Sequence, residues 1–395
     1  MQFASALSRN EETLQAAKQV TASLKRQIRG TINLLAVFFT PDHRNQAEFL
    51  VEYLQRELSP TVLIGCMGEG VVGDDREIEG EPALSVLAGS LPGVTVSPFH
   101  LGMLDWEETL LEGAESRLRK SVGIEGGREH ETRAFILLGD PYTTPVTELM
   151  QRLDQVVPNS VTMGGMSSGS DGPGDGVLLF QNRVVDQGVV GVRIAGPVRI
   201  ESIVSQGCRP IGERMLVTKA EENRILALSG QNALEATQKM IRSLTPRDQD
   251  LLGDGLCLGI VVNEYQDSFG RGDFLVRSVF GAEPNTGAVV VGDRVRVGQT
   301  VQYHLRDAHS ADVELREMMA EVSKQEAAPI GGFIFTCNGR GLRLFDSPNH
   351  DVRSVLEAVP ETPLAGFFAQ GELGPIGGKS FIHGHTASIV LFRDL

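Results

Sequence analysis

The sequence predicts an α+β protein: mixed sheets packed as a layered sandwich with outer helices, degenerate internal repeats and two interlocked halves. Three observations carry this. Apolar runs of strand length alternate with amphipathic stretches of helical period. One order of elements, strand, helix, strand into a glycine turn, then strand, recurs three times along the 395 residues. The middle of the chain strings strands in succession instead, which argues against a strict βαβ Rossmann sheet.

Residues 11–29 alternate polar and apolar at helical spacing, and Ile32 to Phe39 follows as a buried strand stopped at Pro41. Residues 44–58 read as an amphipathic helix with Phe49, Leu50, Tyr53, Leu54 and Leu58 on one face. Val62 to Ile64 runs into glycines, and Ala83 to Ala88 closes the first repeat. The second repeat runs through a strand at Ala134 to Leu138, Pro141, a helix at 145–157, a strand at 161–163 and a strand at Val177 to Phe180. The third runs through Phe333 to Thr336, the Cys337-Asn338-Gly339-Arg340-Gly341 loop, a helix at 350–358, Leu364 and Ala365, and a β-like stretch from Ile382 to Phe392. Gly65-x-Met67-x-x-Gly70, Gly164-x-Met166-x-x-Gly169 and Gly366-x-Phe368-x-x-Gly371 superpose without gaps. Equivalent glycine turns at equivalent strand ends are expected to converge on one cleft.

Between the second and third repeats, 184–194, 198–206, 215–219 and 224–228 read as consecutive strands. A helix at 231–243 follows, then strands at 256–263, 274–280, 288–291 and 294–304, and a helix at about 310–325. The stretch 220–230 is the candidate boundary between halves at 1–222 and 223–395, with no low-complexity linker to mark it.

Composition narrows the function classes. The formal net charge of −15 repels phosphate backbones and argues against a general nucleic-acid binder. No run approaches the roughly 20 apolar residues of a membrane helix. The N-terminus lacks a basic-then-apolar signal pattern. The 4 cysteines, Cys66, Cys208, Cys257 and Cys337, contain no CxxC pair, so reduced thiols in a cytoplasmic setting are expected. A phosphate loop is absent: Gly374 to Ser380 lacks the required glycine spacing.

Several segments, taken in order, carry a likeness. They are GCMGEG at 65–70, GGMSSG at 164–169, SQGCRPIG at 205–212 and NRILALSGQNALE at 223–235. YHLRDAHSAD at 303–312, CNGRG at 337–341, GFFAQGELGP at 366–375 and HGHTASIVLF at 383–392 complete the series. On these the chain resembles the FIST domain family, with an N-terminal and a C-terminal FIST region, and without the output domains of fused relatives. The resemblance implies a small-ligand sensor module of bacterial signal transduction, with amino acids among the ligands. A stand-alone chain of this kind signals through a separate protein in trans.

The residues themselves point to one pocket. Cys337, Asn338 and Arg340 follow a buried strand in a loop whose glycines allow a sharp turn. Arg340 offers a planar fork suited to a carboxylate, and Glu372, between small neighbours near Gly371, suits an ammonium. Together they suit an amino acid. Met67, Met166 and Phe368 occupy equivalent repeat positions and are candidates for an apolar pocket floor or for core packing. Ser167 offers a hydroxyl without a basic partner. His383 and His385 lie two apart and are expected to share a strand face as pocket lining. No cofactor and no metal are expected. Two other readings stand beside the sensor. One is an enzyme acting on a small amino or acyl compound through Cys337 or a His383/His385 metal site. The other is a protein-interaction scaffold.

Overall fold

The computed structural model describes residues 1–124, 126–270 and 272–395, with the side chain of Asp254 excepted. Cα packing divides the chain into two compact units. The first comprises Met1–Val204, Arg316–Ile382 and Thr386–Leu395; the second comprises Ser205–Leu315 and His383–His385.

The first unit is built three times over. Each repeat forms a parallel strand pair: Leu34–Phe39 with Leu63–Met67, Thr132–Gly139 with Val161–Met166, and Gly331–Cys337 with Leu364–Ala369. The crossovers carry the helices Ala47–Leu58, Val146–Val156 and His350–Ala358. A parallel pair needs such a crossover, and that is why the sequence inserts an amphipathic stretch between the two runs. The last strand of each repeat (Leu84–Ser90, Val189–Ala195 or Ala387–Asp394) pairs antiparallel with the first. An additional strand closes the edge: Gln2–Ser8, Thr95–Leu101 or Val198–Ser205.

The hairpin of each repeat leaves its own sheet. Gly70–Gly73 and Arg76–Glu79, from repeat one, extend the sheet of repeat three by pairing with Leu364–Ala369. Leu178–Phe180 and Arg183–Val185, from repeat two, extend the sheet of repeat one. Glu372–Ile376 and Lys379–His383, from repeat three, extend the sheet of repeat two. The result is three six-stranded sheets of identical order, tied by a cyclic exchange of hairpins.

Burial explains the continuous apolar strands. Phe38, Ile64, Ile136, Val192, Phe335 and Phe367 belong to one core shared by the inner faces of the three sheets. The alternate residues Val37, Phe39 and Leu63 face outward against Val20, Leu24, Leu50 and Leu54 of the helices Thr13–Gln27 and Ala47–Leu58. A strand covered on both faces reads as an unbroken hydrophobic run. The repeat glycines have a common cause. A Cβ on Gly65, Gly164 or Gly366 would lie 2.2, 1.9 or 1.8 Å from the carbonyl oxygen of Val37, Leu137 or Ile334 on the neighbouring parallel strand.

The second unit is a seven-stranded sheet in the order Cys208–Glu221, Thr300–Arg306, Leu256–Val261, Phe274–Glu283, Ala288–Val291, Arg224–Leu228 and Gln231–Asn232. Its helix Ala233–Arg242 is capped by Asn232, whose side chain accepts from the Leu234 and Glu235 N–H groups at 3.1 and 3.3 Å.

Three local readings differ from the sequence expectation. Gln2–Ser8 is a strand, its small alanines hiding the β pattern. The 184–194 run splits into Arg183–Val185 and Val189–Ala195. The strand carrying His383 ends there, and His385 adopts a left-handed conformation with φ of 63°. The two histidines therefore do not share a strand face.

Candidate functional site

The three glycine turns meet and bond to one another. Ser168 of the second turn ties all three. Its N–H donates to Met67 O at 3.3 Å, its hydroxyl accepts from Glu69 N–H at 2.8 Å, and the hydroxyl donates to Phe368 O. Met166 N–H donates to Gly371 O at 2.8 Å, and Gln370 N–H to Met166 O at 3.0 Å. Met67, Met166 and Ser167 are buried in this junction. Gly70 lets its strand lie on an aromatic ring: a Cβ there would stand 2.9 Å from Cδ2 of Phe368.

On one side of this junction lies a cavity of about 300 Å³, lined by Glu69, Glu79, Asn338, Leu342, Arg343 and Phe368. The Arg343 guanidinium donates to both Glu69 carboxylate oxygens and, at 2.8 Å, to Asn338 O. Asn338 Nδ2 donates to Glu69 Oε2 at 3.3 Å. The Glu79 carboxylate accepts from Leu342 N–H, at 3.0 Å for Oε1 and 3.3 Å for Oε2. Burial pushes the Glu79 carboxyl up, and the like charges of Glu69 and Asp351 add to this. Gly341, with φ of 56°, gives that carboxylate room, since a Cβ there would stand 2.4 Å from Glu79 Oε1.

The other expected residues lie deeper. Arg340 and Asp351 are 0% and 1% exposed and form a bidentate pair, Nε–Oδ2 and Nη2–Oδ1 both 2.7 Å. The fork expected to greet a ligand carboxylate is thus bound by one of the protein's own. Glu372 is fully buried and accepts from Thr386 N–H at 3.1 Å. Burial drives its carboxyl well up, against the Thr386 N–H, the Cys337 thiol and the Arg340 charge. Cys337 is buried at the strand end, and Gly339 N–H points at its sulfur from 3.4 Å. Gly371 abuts Ile382 and Met166. His383 is buried at the end of its strand. Of the expected residues, Asn338 and Phe368 line the cavity. Glu69, Glu79 and Arg343 were not singled out from the sequence. Glu69 was visible there as the one charged residue at a repeat position held by Ser168 and Gln370 in the other two turns.

Among the described residues, no group of three or more His, Cys, Asp or Glu side chains forms a metal-ligating set. None of the described helices is long and apolar enough to cross a membrane.

The first unit is thus a triply repeated β-α-β body that carries a small polar cavity, and the second unit is built on a separate sheet. Residues 33–231 match the FIST N domain and 233–375 the FIST C domain, and the chain belongs to the FIST family, whose domains serve generally as sensory, ligand-binding modules of signal transduction. An uncharacterised protein of Mycobacterium tuberculosis strain H37Rv is 37% identical over 398 residues, covering all of both chains. One from Mycobacterium bovis is 36% identical over 384 residues and 96% of each. An Arabidopsis thaliana F-box/LRR-repeat protein is 33% identical over 91 residues, 22% of this chain and 17% of its own length. Among solved structures, a cyanuric acid hydrolase covers all of both chains at 10% identity and a TM-score of 0.35.

Proposed function

We propose that the protein is a cytoplasmic, non-catalytic sensor that binds an amino acid or related metabolite in the cavity between Glu79, Arg343, Asn338 and Phe368, and that it signals through a separate protein. One observation supports this above the rest. The threefold build creates three equivalent junctions between a hairpin and the loop of another repeat. At this junction Glu69, Glu79 and Arg343 meet around about 300 Å³ of space. Elsewhere between repeats, Arg44 pairs with Asp175 at 2.8 Å, and Ser380 donates to Asp154 of the helix Val146–Val156 at 2.7 Å.

The chemistry suits a zwitterion. Glu79 is half-buried with a single backbone donor, so an ammonium beside it relieves its desolvation. The Arg343–Glu69 pair is solvent-exposed, 57% and 39%, and holds itself only weakly, so a ligand carboxylate competes for the guanidinium at low cost. The Phe368 face takes an apolar portion. A thermal-shift screen of proteinogenic amino acids and small amines tests the reading. Stabilisation that is lost in both Glu79→Gln and Arg343→Ala is the expected result. Stabilisation unchanged in both variants, or none from any compound, refutes it.

A further inference from the structure

The second unit's sheet has two unlike faces. Cross-strand partners lie on one face, as do residues two apart on a strand. Leu258, Ile260, Val301, Tyr303 and Leu305 project to one side and pack with Ala233, Ala236 and Met240 of the helix Ala233–Arg242. The register sends a different set to the other side. Pro210 and Cys257 both stand opposite His304, Gly259 stands opposite Gln302 and Val276, and Val261 opposite Phe274. Cys208, two residues before Pro210, joins that face. There the sheet is not filled. A cavity of about 160 Å³ opens over it, walled by Cys208, Pro210, Phe274, Val276 and, from the loop that precedes Phe274, by Phe269. Gly259 makes room on this face, since a Cβ there would stand 2.4 Å from His304 Cε1 and 3.1 Å from Phe274 Cβ.

Two polar groups of unlike kind line this cavity. One is His304, 4% exposed. Its Nδ1 lies 3.0 Å from Gln302 O, and a carbonyl only accepts, so Nδ1 carries the proton. Burial lowers the ring to about 4 and keeps it neutral at pH 7. Nε2 is then a bare acceptor, without a hydrogen-bond partner among the described residues, on a ring that lines the cavity. The other group is Arg214, exposed at the surface. Its guanidinium carbon lies 5.3 Å from the Phe269 ring centroid, its Nη2 donates to Phe269 O at 2.6 Å, and among the described residues it forms no ion pair. Phe269 meets Phe274 edge to face at 6.1 Å, and Phe274 meets the His304 ring edge to face at 5.3 Å. Cation and imidazole therefore flank one aromatic wall. The Gln206 amide is already spent, its Nε2 donating to Phe274 O at 2.8 Å and its Oε1 accepting from Val276 N–H at 3.2 Å. No Asp or Glu among the described residues lines the cavity, so it offers no partner to an ammonium, in contrast to the cavity beside Glu79.

We propose that this cavity is a second ligand site, for a monocyclic phenolic acid, with the ring against Phe269 and Phe274, the hydroxyl donating to His304 Nε2 and the carboxylate at Arg214. Each part of the ligand answers one feature of the wall. An apolar cavity of about 150 Å³ takes one benzene ring, so the space here suits a single ring. The aromatic side chains offer that ring edge and face contacts. The imidazole can only accept, so the ligand must bring an O–H donor; a ring without one displaces water from Nε2 and puts nothing in its place. Arg214 has donors and a charge to offer and no carboxylate of the protein's own, so the outer end of the ligand is an anion. The site does not rest on the amino-acid reading of the cavity beside Glu79, and either can fail without the other.

Calorimetric titration of the full-length protein at pH 7 with three probes reads the parts separately. 4-Hydroxybenzoate is expected to bind with a Kd of about 1 mM or tighter. Benzoate keeps the anion and lacks the donor, and should bind about tenfold more weakly. Phenol keeps the donor and lacks the anion, and should bind about threefold more weakly, as an exposed ion pair is lost. Arg214→Ala changes an exposed side chain, and should bring 4-hydroxybenzoate to the affinity of phenol while that of phenol stays as in the wild type. No binding of 4-hydroxybenzoate, benzoate binding as tightly as 4-hydroxybenzoate, or a preference over phenol that survives Arg214→Ala overturns the proposal. The three wild-type titrations need no variant to fold.

Discussion

Replacing Arg340 by alanine separates structure from ligand contact. The guanidinium is fully buried, and Asp351 receives from it two hydrogen bonds of 2.7 Å. Each charge-assisted bond of this kind contributes about 1.5–3 kcal/mol. After the substitution, the Asp351 carboxylate keeps only the Thr336 hydroxyl at 2.6 Å and the His350 imidazole at 2.9 Å. The stacking of Arg340 over Phe345, 5.2 Å from the ring centroid, is lost as well. Breaking a buried pair by removing one partner costs about 3–5 kcal/mol, because the other charge stays behind without water. Urea unfolding followed by the fluorescence of Trp106, which lies in the same unit, measures the loss. The double variant Arg340→Met with Asp351→Leu should recover most of it, since an apolar pair of similar volume is often neutral. A single-variant loss under about 1 kcal/mol, or a double variant no better than the single, refutes the reasoning.

The pH dependence of that loss carries a sign. Burial pushes the Asp351 carboxyl up, but the charge and hydrogen bonds of Arg340 outweigh it and hold the group well below the usual carboxylate range. A depressed folded value contributes stability above the unfolded value and loses it as pH falls through the folded one. The penalty of Arg340→Ala is therefore full at pH 7 and smaller at pH 3, where the stranded Asp351 takes up a proton. Arg340→Ala thus reports on the fold, and the ligand question belongs to Glu79 and Arg343.

Three further outcomes follow from the same structure. Glu77 is buried, with its Oε1 accepting from Val352 N–H at 2.8 Å, and burial followed by the Asp351 charge raises it from 4.5 to about 8. A raised folded value means stability is full below 4.5 and falls as pH rises toward 8, with a slope of up to about 1.4 kcal/mol per pH unit; Glu77→Gln should flatten the melting temperature across that window, and an unchanged slope contradicts the assignment. Gly366→Ala places a Cβ at 1.8 Å from Ile334 O and must force the parallel strands apart, so a loss above about 3 kcal/mol or insoluble protein is expected, and a wild-type melting curve argues against the register. Ser168→Ala leaves the Phe368 carbonyl and the Glu69 N–H without their shared partner and should cost about 1–3 kcal/mol, read as a lower melting temperature; no change would mean that the hydroxyl does not join the turns.

What the sequence revealed was what a single backbone contact forces. Gly65, Gly164 and Gly366 superpose in sequence because a carbonyl of the neighbouring strand excludes any side chain at each. The helices between the paired strands were legible for a similarly local reason, since one apolar stripe must cover one sheet face. The exchange of hairpins was not legible, because a strand pattern does not name its partner. The Arg340 fork was read as suited to a ligand carboxylate; its match is the protein's own Asp351, reached by a turn and the start of a helix. Glu79 and Arg343 were hidden because 264 positions separate residues that only strand pairing between repeats one and three brings together. Cys208 and Cys257 read as isolated thiols for the same reason: only the intervening strand Thr300–Arg306 places them on one face.

Repetition supplies an internal control for separating folding from function. A residue that recurs at one position of all three repeats answers to a constraint that the fold imposes three times, and the carbonyl beside each of Gly65, Gly164 and Gly366 is such a constraint. A residue that departs from its two counterparts answers to something else. Met67, Met166 and Phe368 show both cases in one position. The two methionines pack against the outer helix layers of their sheets, whereas the aromatic ring of the third is turned to the charged cavity. The next divergent position pairs Glu69 with Ser168 and Gln370: the serine stitches the turns together, while the glutamate is held by Arg343 at the cavity wall. Stability alone does not account for the arrangement, because an exposed ion pair contributes little and a half-buried carboxylate costs. The asymmetry is therefore where selection for binding is to be looked for, and it falls on Glu69, Glu79, Arg343 and Phe368 together.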